Sequence, residues 1–416
     1  VVFYSLLPVL LVFVLISARH REGLGQRLGL YPAVPGTGRR PRIWLHAASV
    51  GEVQAARAII AELRSLQPQA EFILTTMTLH GRKVAERLLA PDVVCLLAPL
   101  DVPGVVGRVL RKLAPDVYVC IETELWPLLL REASCRGIRV VQVNGRLSAR
   151  AAARYRRSAG FFRQVLANFA AMAVISEADR DRYLALEAIA SRLQVLGNVK
   201  YDLRLPDEPE RVRAGLRQDL GIGDGLDVLV AGSTHSGEEE MLVPLFQRLI
   251  AEGSWLLLVA PRHIERLDEL MAMYEARGIA FDLFSRLRSG ERRRHAVVIL
   301  DSLGELADIY AVATYVFCGG SLVPRNGHNI MEAAIWDKAV FYGPSMADFQ
   351  DAVQILEAAD AGFMVRDAAE LAERLQAFRR DLAAYRQACR RAGEAARAQL
   401  GAARKQAAMI IDNLTI

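Results

Sequence analysis

The sequence predicts two α/β domains, each built on a parallel sheet. Three observations carry that prediction. Short apolar runs alternate with stretches of helical spacing, first over 41–204 and again over 209–390. An acidic, proline-bearing segment, 206–209, separates the two alternations and reads as an interdomain linker. The two halves also open alike: I-W-L-H-A-A-S-V-G-E in the first and L-V-A-G-S-T-H-S-G-E in the second. In each, an apolar strand meets a loop of small residues and then a Gly-Glu at a helix start. Two doubly wound domains facing each other would leave a cleft with both loops at its walls.

Of the 416 residues, 52% are hydrophobic and 24% charged, enough for large cores. A net charge of +5 suits a negatively charged surface or substrate. The basic stretches lack the aromatic interleaving of a base-stacking platform, which argues against nucleic acid. Cys95, Cys120, Cys135, Cys318 and Cys389 are scattered without a C-x-x-C pair, as expected of free thiols in a reducing compartment. The seven histidines show neither H-x-x-x-H nor H-E-x-x-H spacing, so no metal site is expected.

In chain order, residues 1–17 are almost wholly apolar and are followed by His20 and Arg21. A signal peptide, a membrane anchor and a buried first helix are the three readings of this run. No charged leader or small-x-small cleavage site is visible, so an anchor over 1–22 is favoured, its basic flank on the cytoplasmic side. A Pro/Gly-rich linker, 31–40, leads into the first alternation. Its strands are expected at 43–45, 72–74, 93–97, 117–121, 140–143, 173–175 and 195–196. Its helices are expected at 53–66, 81–89, 105–113 and 127–136, with a basic helical region over 146–169. The second alternation has expected strands at 228–231, 256–259, 281–284, 297–300, 315–318 and 340–342. An Ala/Arg-rich helical stretch, 368–411, closes the chain.

Residues 319–334 hold the densest candidate site. A buried strand ends in Gly319-Gly320, where the backbone can turn tightly or admit a ligand. A helix opens near Asn329, and its free N–H groups would suit a phosphate. Glu332, one turn in, could accept hydrogen bonds from a sugar diol. The plainer alternative is a glycine turn with Asn329 as an N-cap.

Elsewhere, Glu52 follows Gly51 at a helix start, as a base taking a proton from an attacking hydroxyl would, or as a carboxylate complementing the helix dipole. Glu122 and Glu124 lie two apart beyond a strand and share a face if the extended geometry continues. Ala260-Pro261-Arg262-His263 offers a guanidinium for a phosphate or carboxylate, and Gly304-Glu305-Leu306 is a similar strand-to-helix turn. Arg146, Arg150 and Arg154 recur every four residues near Tyr155, Phe161 and Phe162, as anionic headgroups, an acceptor phosphate or a simple solvated face would allow. Neither half carries G-x-G-x-x-G or a P-loop, which disfavours dinucleotide and P-loop enzymes.

Taken in order, H-A-A-S-V-G-E, E-T-E-L-W-P, N-G-R-L-S-A-R, G-N-V-K-Y-D, G-S-T-H-x-G-E-E, A-P-R-H-x-E-R, D-S-L-G-E-L and G-G-S-L-V-x-x-x-G-H-N-x-x-E-A-A resemble one family closely. It is the 3-deoxy-D-manno-octulosonic acid (Kdo) transferases of lipopolysaccharide synthesis, and the resemblance runs to about residue 366. It implies a GT-B fold, with two facing Rossmann-like domains behind an N-terminal hydrophobic anchor and a final helix, 391–416, crossing back to the first domain. It implies inverting, metal-independent transfer of Kdo from CMP-Kdo to a lipid A precursor (lipid IVA) at the cytoplasmic face of the inner membrane, against anionic lipid.

By the same resemblance Glu52 is the general base, and Ser49, Gly51, Glu124, Arg146 and Lys200 fall on the acceptor side. Ser233, Thr234, Pro261, Arg262, His263, Gly304, Glu305, Leu306, Asn329 and Glu332 fall on the donor side. Many relatives have a second glycine where this chain has Asn326, a residue that tolerates positive φ, so the loop is expected to survive. The competing readings are another GT-B enzyme using a UDP-sugar and a non-catalytic nucleotide-sugar-binding protein on a membrane.

Overall fold

A computed structural model describes residues 23–32 and 41–414. The expected anchor over 1–22 lies outside the described residues. Among those described, no helix is long and apolar enough to cross a membrane. The chain divides into two compact units, one of Val1–Asp202 with Gly401–Ile416 and one of Leu203–Leu400.

The first unit holds a seven-stranded sheet: β1 (Arg42–Ala47), β2 (Glu71–Thr76), β3 (Val93–Leu97), β4 (Val117–Ile121), β5 (Arg139–Gly145), β6 (Ala171–Val174) and β7 (Leu193–Val195). All pairings are parallel, in the order β3-β2-β1-β4-β5-β6-β7. The strand order reverses between β1 and β4, and open α/β sheets bind ligands beyond the carboxyl ends of the strands at such a point. Alternate residues of β1 feed opposite faces: Ile43, Leu45 and Ala47 join one core, while Trp44 stacks edge-on against Tyr118 in the other.

The second unit repeats the plan with β8 (Asp227–Thr234), β9 (Trp255–Pro261), β10 (Phe281–Leu283), β11 (Val297–Ile299), β12 (Tyr315–Cys318), β13 (Val340–Tyr342) and β14 (Gly362–Met364). Their order is β10-β11-β9-β8-β12-β13-β14, again all parallel, with the reversal between β8 and β12. A register shift between Gly232 and Thr234, with Ser233 at φ 56°, bends the end of β8. The short strand β14, within the apolar run 361–365, is an addition to the six strands expected of this half.

The long helical regions are broken into shorter helices. The basic stretch 146–169 is two helices, Ala149–Arg156 and Ala159–Leu166. The terminal stretch is three: Ala368–Arg380, Leu382–Arg397 and Ala402–Asp412. Asp381 caps the second by accepting the Ala384 N–H. Gly401, at φ 83°, starts the third, and the Asp202 carboxylate accepts the N–H groups of Gly401 and Ala403. The segment that returns to the first unit therefore starts at 401. Residues 391–400, expected to be part of it, stay with the second unit. Ala402, Ala403, Ala407, Met409 and Ile410 complete the core under Val50–Leu66, and burying each larger side chain is worth about 2 kcal/mol.

Candidate functional site

In the first unit the helix Val50–Leu66 starts directly after β1, and its N-cap is Ser49. Ser49 Oγ accepts the Glu52 N–H at 3.3 Å and donates to Glu52 Oε1 at 2.9 Å. Glu52 Oε2 accepts the Ala48 N–H at 2.8 Å. The carboxylate thus closes the helix start, in the manner of a capping box, yet among the described residues two of its four acceptor directions receive no donor. Glu52 is only 6% exposed. Burial pushes its carboxyl up to about 7, with Glu122 and Glu124 adding to the rise against the pull of the Ala48 N–H and the Ser49 hydroxyl. A carboxyl near 7 is matched to accepting a proton at neutral pH.

Lys200 reaches this place from a 3-10 turn, Val199–Tyr201, fixed by Asn144 Oδ1 on the Val199 N–H and Asn198 Oδ1 on the Lys200 N–H. Its Nζ donates to Glu122 Oε1 at 2.6 Å. A Cβ on Gly51 would stand 3.9 Å from that Nζ, so Lys200 lies alongside the helix start. Glu122 has φ 57°, left-handed for a residue with a side chain. Its N–H is held by the Val143 carbonyl and its carbonyl by Gln142 Nε2. The extended geometry that would have put Glu122 and Glu124 on one face therefore does not continue.

Glu124 turns instead to the Trp126 indole N–H, at 2.9 Å, and to His46 Nε2, at 3.9 Å. The His46 imidazole, ahead of Trp126, holds the Glu124 carboxyl below its usual range. Arg146 is half-buried at the end of β5, and its carbonyl accepts the Thr123 hydroxyl. Ser49, Gly51, Glu52, Glu124 and Lys200 thus share one neighbourhood. Glu122, singled out in the sequence but not placed in the site, belongs there as the partner of Lys200.

In the second unit the carboxyl ends of β8, β9 and β12 converge. Thr234 Oγ1 donates to Glu239 Oε1 at 3.0 Å, and the other Glu239 oxygen pairs with Arg266 at 2.9 Å. Thr234 lies opposite Pro261, and its carbonyl accepts the Arg262 N–H. The Arg262 side chain is exposed and, among the described residues, is in no ion pair. His263 is also exposed and holds Glu265 at 3.1 Å.

His235 Nε2 and His328 Nε2 are 2.9 Å apart, and the His235 ring meets His263 edge-on. Burial pulls both His235 and His328 down to about 4, helped by each other's neighbours His263 and Arg262. At neutral pH the pair is therefore uncharged, one ring donating to the other. His235 and His328 lie in the G-S-T-H and G-H-N motifs and join this cluster, although neither motif marks them as partners.

The loop 319–334 needs a correction. The N–H groups of Gly320, Ser321 and Leu322 do not await a phosphate: they donate to the buried carboxylate of Glu238, at 2.6, 3.1 and 2.9 Å. The helix beyond is a single turn, Met331–Ala334, and Asn329 Oδ1 already takes the Met331 N–H. Asn329 Nδ2 lies 3.4 Å from Glu332 Oε1. Burial raises the Glu332 carboxyl, and Arg262 opposes that rise, so Glu332 and Arg262 lie within electrostatic reach. Asn326 stands at φ 64° and Gly327 at φ 70°, so the loop keeps its turn without the second glycine. Gly304 (φ 91°) and Glu305 follow β11, where Glu305 is held by Ser302 and by Arg288 rather than by the other donor-side residues. Leu306 packs close to Gly232 at the end of β8. Among the described residues no group of three His, Cys, Asp or Glu side chains could hold a metal ion.

Comparison with known proteins places this arrangement. Residues 22–203 match the family model of 3-deoxy-D-manno-octulosonic-acid transferase (kdotransferase). The 3-deoxy-D-manno-octulosonic acid transferase of Haemophilus influenzae is 32% identical over 380 residues, which cover 88% of this chain and 86% of that protein. The chain belongs to the Kdo transferase family. Another relative, a bifunctional glycosyltransferase/methyltransferase of Fusobacterium nucleatum, is 28% identical over 80% of this chain. The chain spans only about half of that longer protein, 52%. The crystal structure of UDP-GlcNAc 2-epimerase from Neisseria meningitidis superposes on 90% of this chain and 99% of its own, with a TM-score of 0.58 at 12% identity. That likeness is one of fold: the chain shares with it a GT-B-like pair of parallel-sheet domains.

Proposed function

We propose that the chain transfers Kdo from CMP-Kdo to a hydroxyl of a lipid A precursor, lipid IVA, with inversion and with Glu52 as the general base. Family membership supports the sugar and the reaction class. The single observation that carries the base is the Glu52 carboxylate: buried, only half satisfied, and pushed up to about 7.

Glu52 takes the proton of the acceptor hydroxyl as its oxygen forms a bond to the Kdo anomeric carbon. The bond from that carbon to the CMP phosphate oxygen breaks, and CMP leaves with the electron pair. The transition state has oxocarbenium character, as in glycoside hydrolysis, and attack opposite CMP inverts the centre. Ser49 holds the Glu52 carboxylate by its hydroxyl, and Lys200 supplies the positive charge that an acceptor phosphate or the Kdo carboxylate would seek. In the second unit Arg262 offers its guanidinium to the CMP phosphate. Ser233, Thr234, Pro261, His263, Gly304, Glu305, Leu306, Asn329 and Glu332 shape the donor pocket around it.

The setting proposed is the cytoplasmic face of the inner membrane, anchored through the apolar residues 1–17. The surface formed by Arg150, Arg154 and Arg157 would face anionic headgroups. The stacked rings of Tyr155 and Phe162 and the exposed Phe161 stand nearby.

Incubation with lipid IVA and either CMP-Kdo or UDP-sugars, with products weighed by mass spectrometry, tests the reading. Addition of Kdo units from CMP-Kdo alone is expected. Activity with a UDP-sugar and none with CMP-Kdo would replace it with the UDP-sugar reading.

A further inference from the structure

The residues Glu238-Glu239-Glu240 open the helix Glu238–Glu252, and a run of three acids in a first turn ordinarily complements the helix dipole. Here the three divide the work. Glu240 accepts the Gly237 N–H at 2.7 Å and caps the helix. Glu239 ties Thr234 to Arg266. Glu238 points the other way, into the loop that follows β12, and is wholly buried.

Both oxygens of Glu238 are saturated. Oε2 receives the N–H groups of Gly320 (2.6 Å) and His235 (3.4 Å), and Oε1 those of Ser321 (3.1 Å) and Leu322 (2.9 Å). A carboxylate has about four acceptor sites, and four N–H groups fill them. Burial raises this carboxyl overall, against the opposing pull of the four N–H groups. With two donors on each oxygen there is no place for a proton, so the group is the carboxylate. Successive backbone N–H groups converging on one point form the kind of nest that elsewhere binds a phosphate. Gly319 shows how closely this nest is packed: a Cβ there would lie 2.6 Å from the Ser233 carbonyl oxygen and 2.8 Å from Glu238 Oε2. No ligand fits between.

We propose that Glu238 is a positioning residue of the donor site, a built-in anion that fills the backbone nest of Gly320–Leu322 and thereby fixes His235 and His328 against each other. Gly320, at φ 67°, is the link. A Cβ on it would stand 3.1 Å from the His328 ring and 3.2 Å from the His235 ring, so the hinge of the nest lies between the two histidines. Glu238 also accepts the His235 N–H, so one carboxylate holds the loops after β8 and β12 in a single register. A consequence is that the donor phosphate is met by side chains, Arg262 foremost, because the nest is already occupied.

The role rests on the reading of this unit as the CMP-Kdo site, and the test separates the two. In the full chain, Glu238→Gln, Glu238→Asp and Glu238→Ala are compared by the amide shifts of Gly320, Ser321 and Leu322 and by calorimetric affinity for CMP. Glu238→Gln keeps size but turns an NH₂ against the nest. It is expected to displace the three amides and weaken CMP binding at least about ten-fold, with kcat at saturating CMP-Kdo changed less than about three-fold. Glu238→Asp is expected to fall between. In Glu238→Ala, added formate is expected to return the amides and part of the CMP affinity, a rescue that lost packing alone would not give. Wild-type amide positions and CMP affinity in Glu238→Gln would overturn the proposal. So would a failure of formate to act on Glu238→Ala, or loss of fold in all three variants, which would make Glu238 a residue of the core. If the wild type binds no CMP, it is the donor-site reading that fails, while the amide and formate responses still decide whether Glu238 holds the nest.

Discussion

Glu52 and Glu238 occupy matching places. Each follows a glycine in the first turn of the helix after its unit's first strand, and each is buried. Their surroundings differ. Glu238 has four N–H donors and no free acceptor site. Glu52 has one N–H and one hydroxyl, with two more carboxylates nearby. The same Gly-Glu opening therefore serves two purposes. In the second unit it anchors a loop, while in the first it leaves a carboxylate under-solvated and ready for a proton. How many donors converge on the carboxylate decides which purpose is served, and the motif alone does not.

The largest test of that contrast is reciprocal substitution. Glu52→Gln should lower the transfer rate by roughly 10³-fold, in the range of lost general-base catalysis, and leave CMP affinity unchanged. Glu238→Gln should show the opposite split, weak CMP binding with kcat nearly kept.

Stability should divide the pair next. Glu238→Gln removes a buried charge's place among four donors and should destabilise its unit by about 3 kcal/mol in urea unfolding. Glu52→Gln should instead stabilise by about 1–3 kcal/mol near pH 8. The sign follows from a folded-state value of about 7, above the unfolded 4.5. The favourable contribution of protonated Glu52 is complete below about 4.5 and is lost as pH rises through about 7. The advantage of glutamine should therefore appear across that window and vanish below it.

The glycines sharpen the comparison at smaller scale. Gly319→Ala drives a Cβ to 2.6 Å from a backbone carbonyl and should cost about 2 kcal/mol. Gly51→Ala meets only Ser49 Oγ at 3.8 Å and Lys200 Nζ at 3.9 Å, so thermal unfolding should change by at most about 1 kcal/mol, in the favourable direction. The smallest expected effect is electrostatic. Lys200→Met leaves the Glu122 charge unpaired beside Glu52 and should move the Glu52 titration upward by ~0.5 unit, read from the pH–rate profile.

Local pattern made much of this legible in advance. The alternating strands and helices and the two matched openings follow from short-range spacing, which marks Glu52 as a first-turn carboxylate and leaves base and dipole partner open. What stayed hidden depends on contacts distant in sequence. Glu238 reads only as the Glu of a Gly-Glu at a helix start, because its loop partners are 82 to 84 residues away. Glu122 reads as half of an extended pair until Lys200, 78 residues on, and a left-handed φ redirect it. The return of the chain at Gly401 is set by Asp202, 199 residues earlier, which no helical periodicity reveals. The 319–334 loop misled for the same reason: its glycines and N–H groups are those of an anion site, but the anion is a side chain of the protein.

The most direct measurement is the acceptor kcat/KM of Kdo transfer as a function of pH, at saturating CMP-Kdo, in wild type and Glu52→Gln. Wild-type activity should rise through about pH 7 as Glu52 loses its proton and then level off. The variant should be flat and roughly 10³-fold lower. Near-normal turnover in Glu52→Gln, or a rising limb that survives the substitution, would contradict Glu52 as the base.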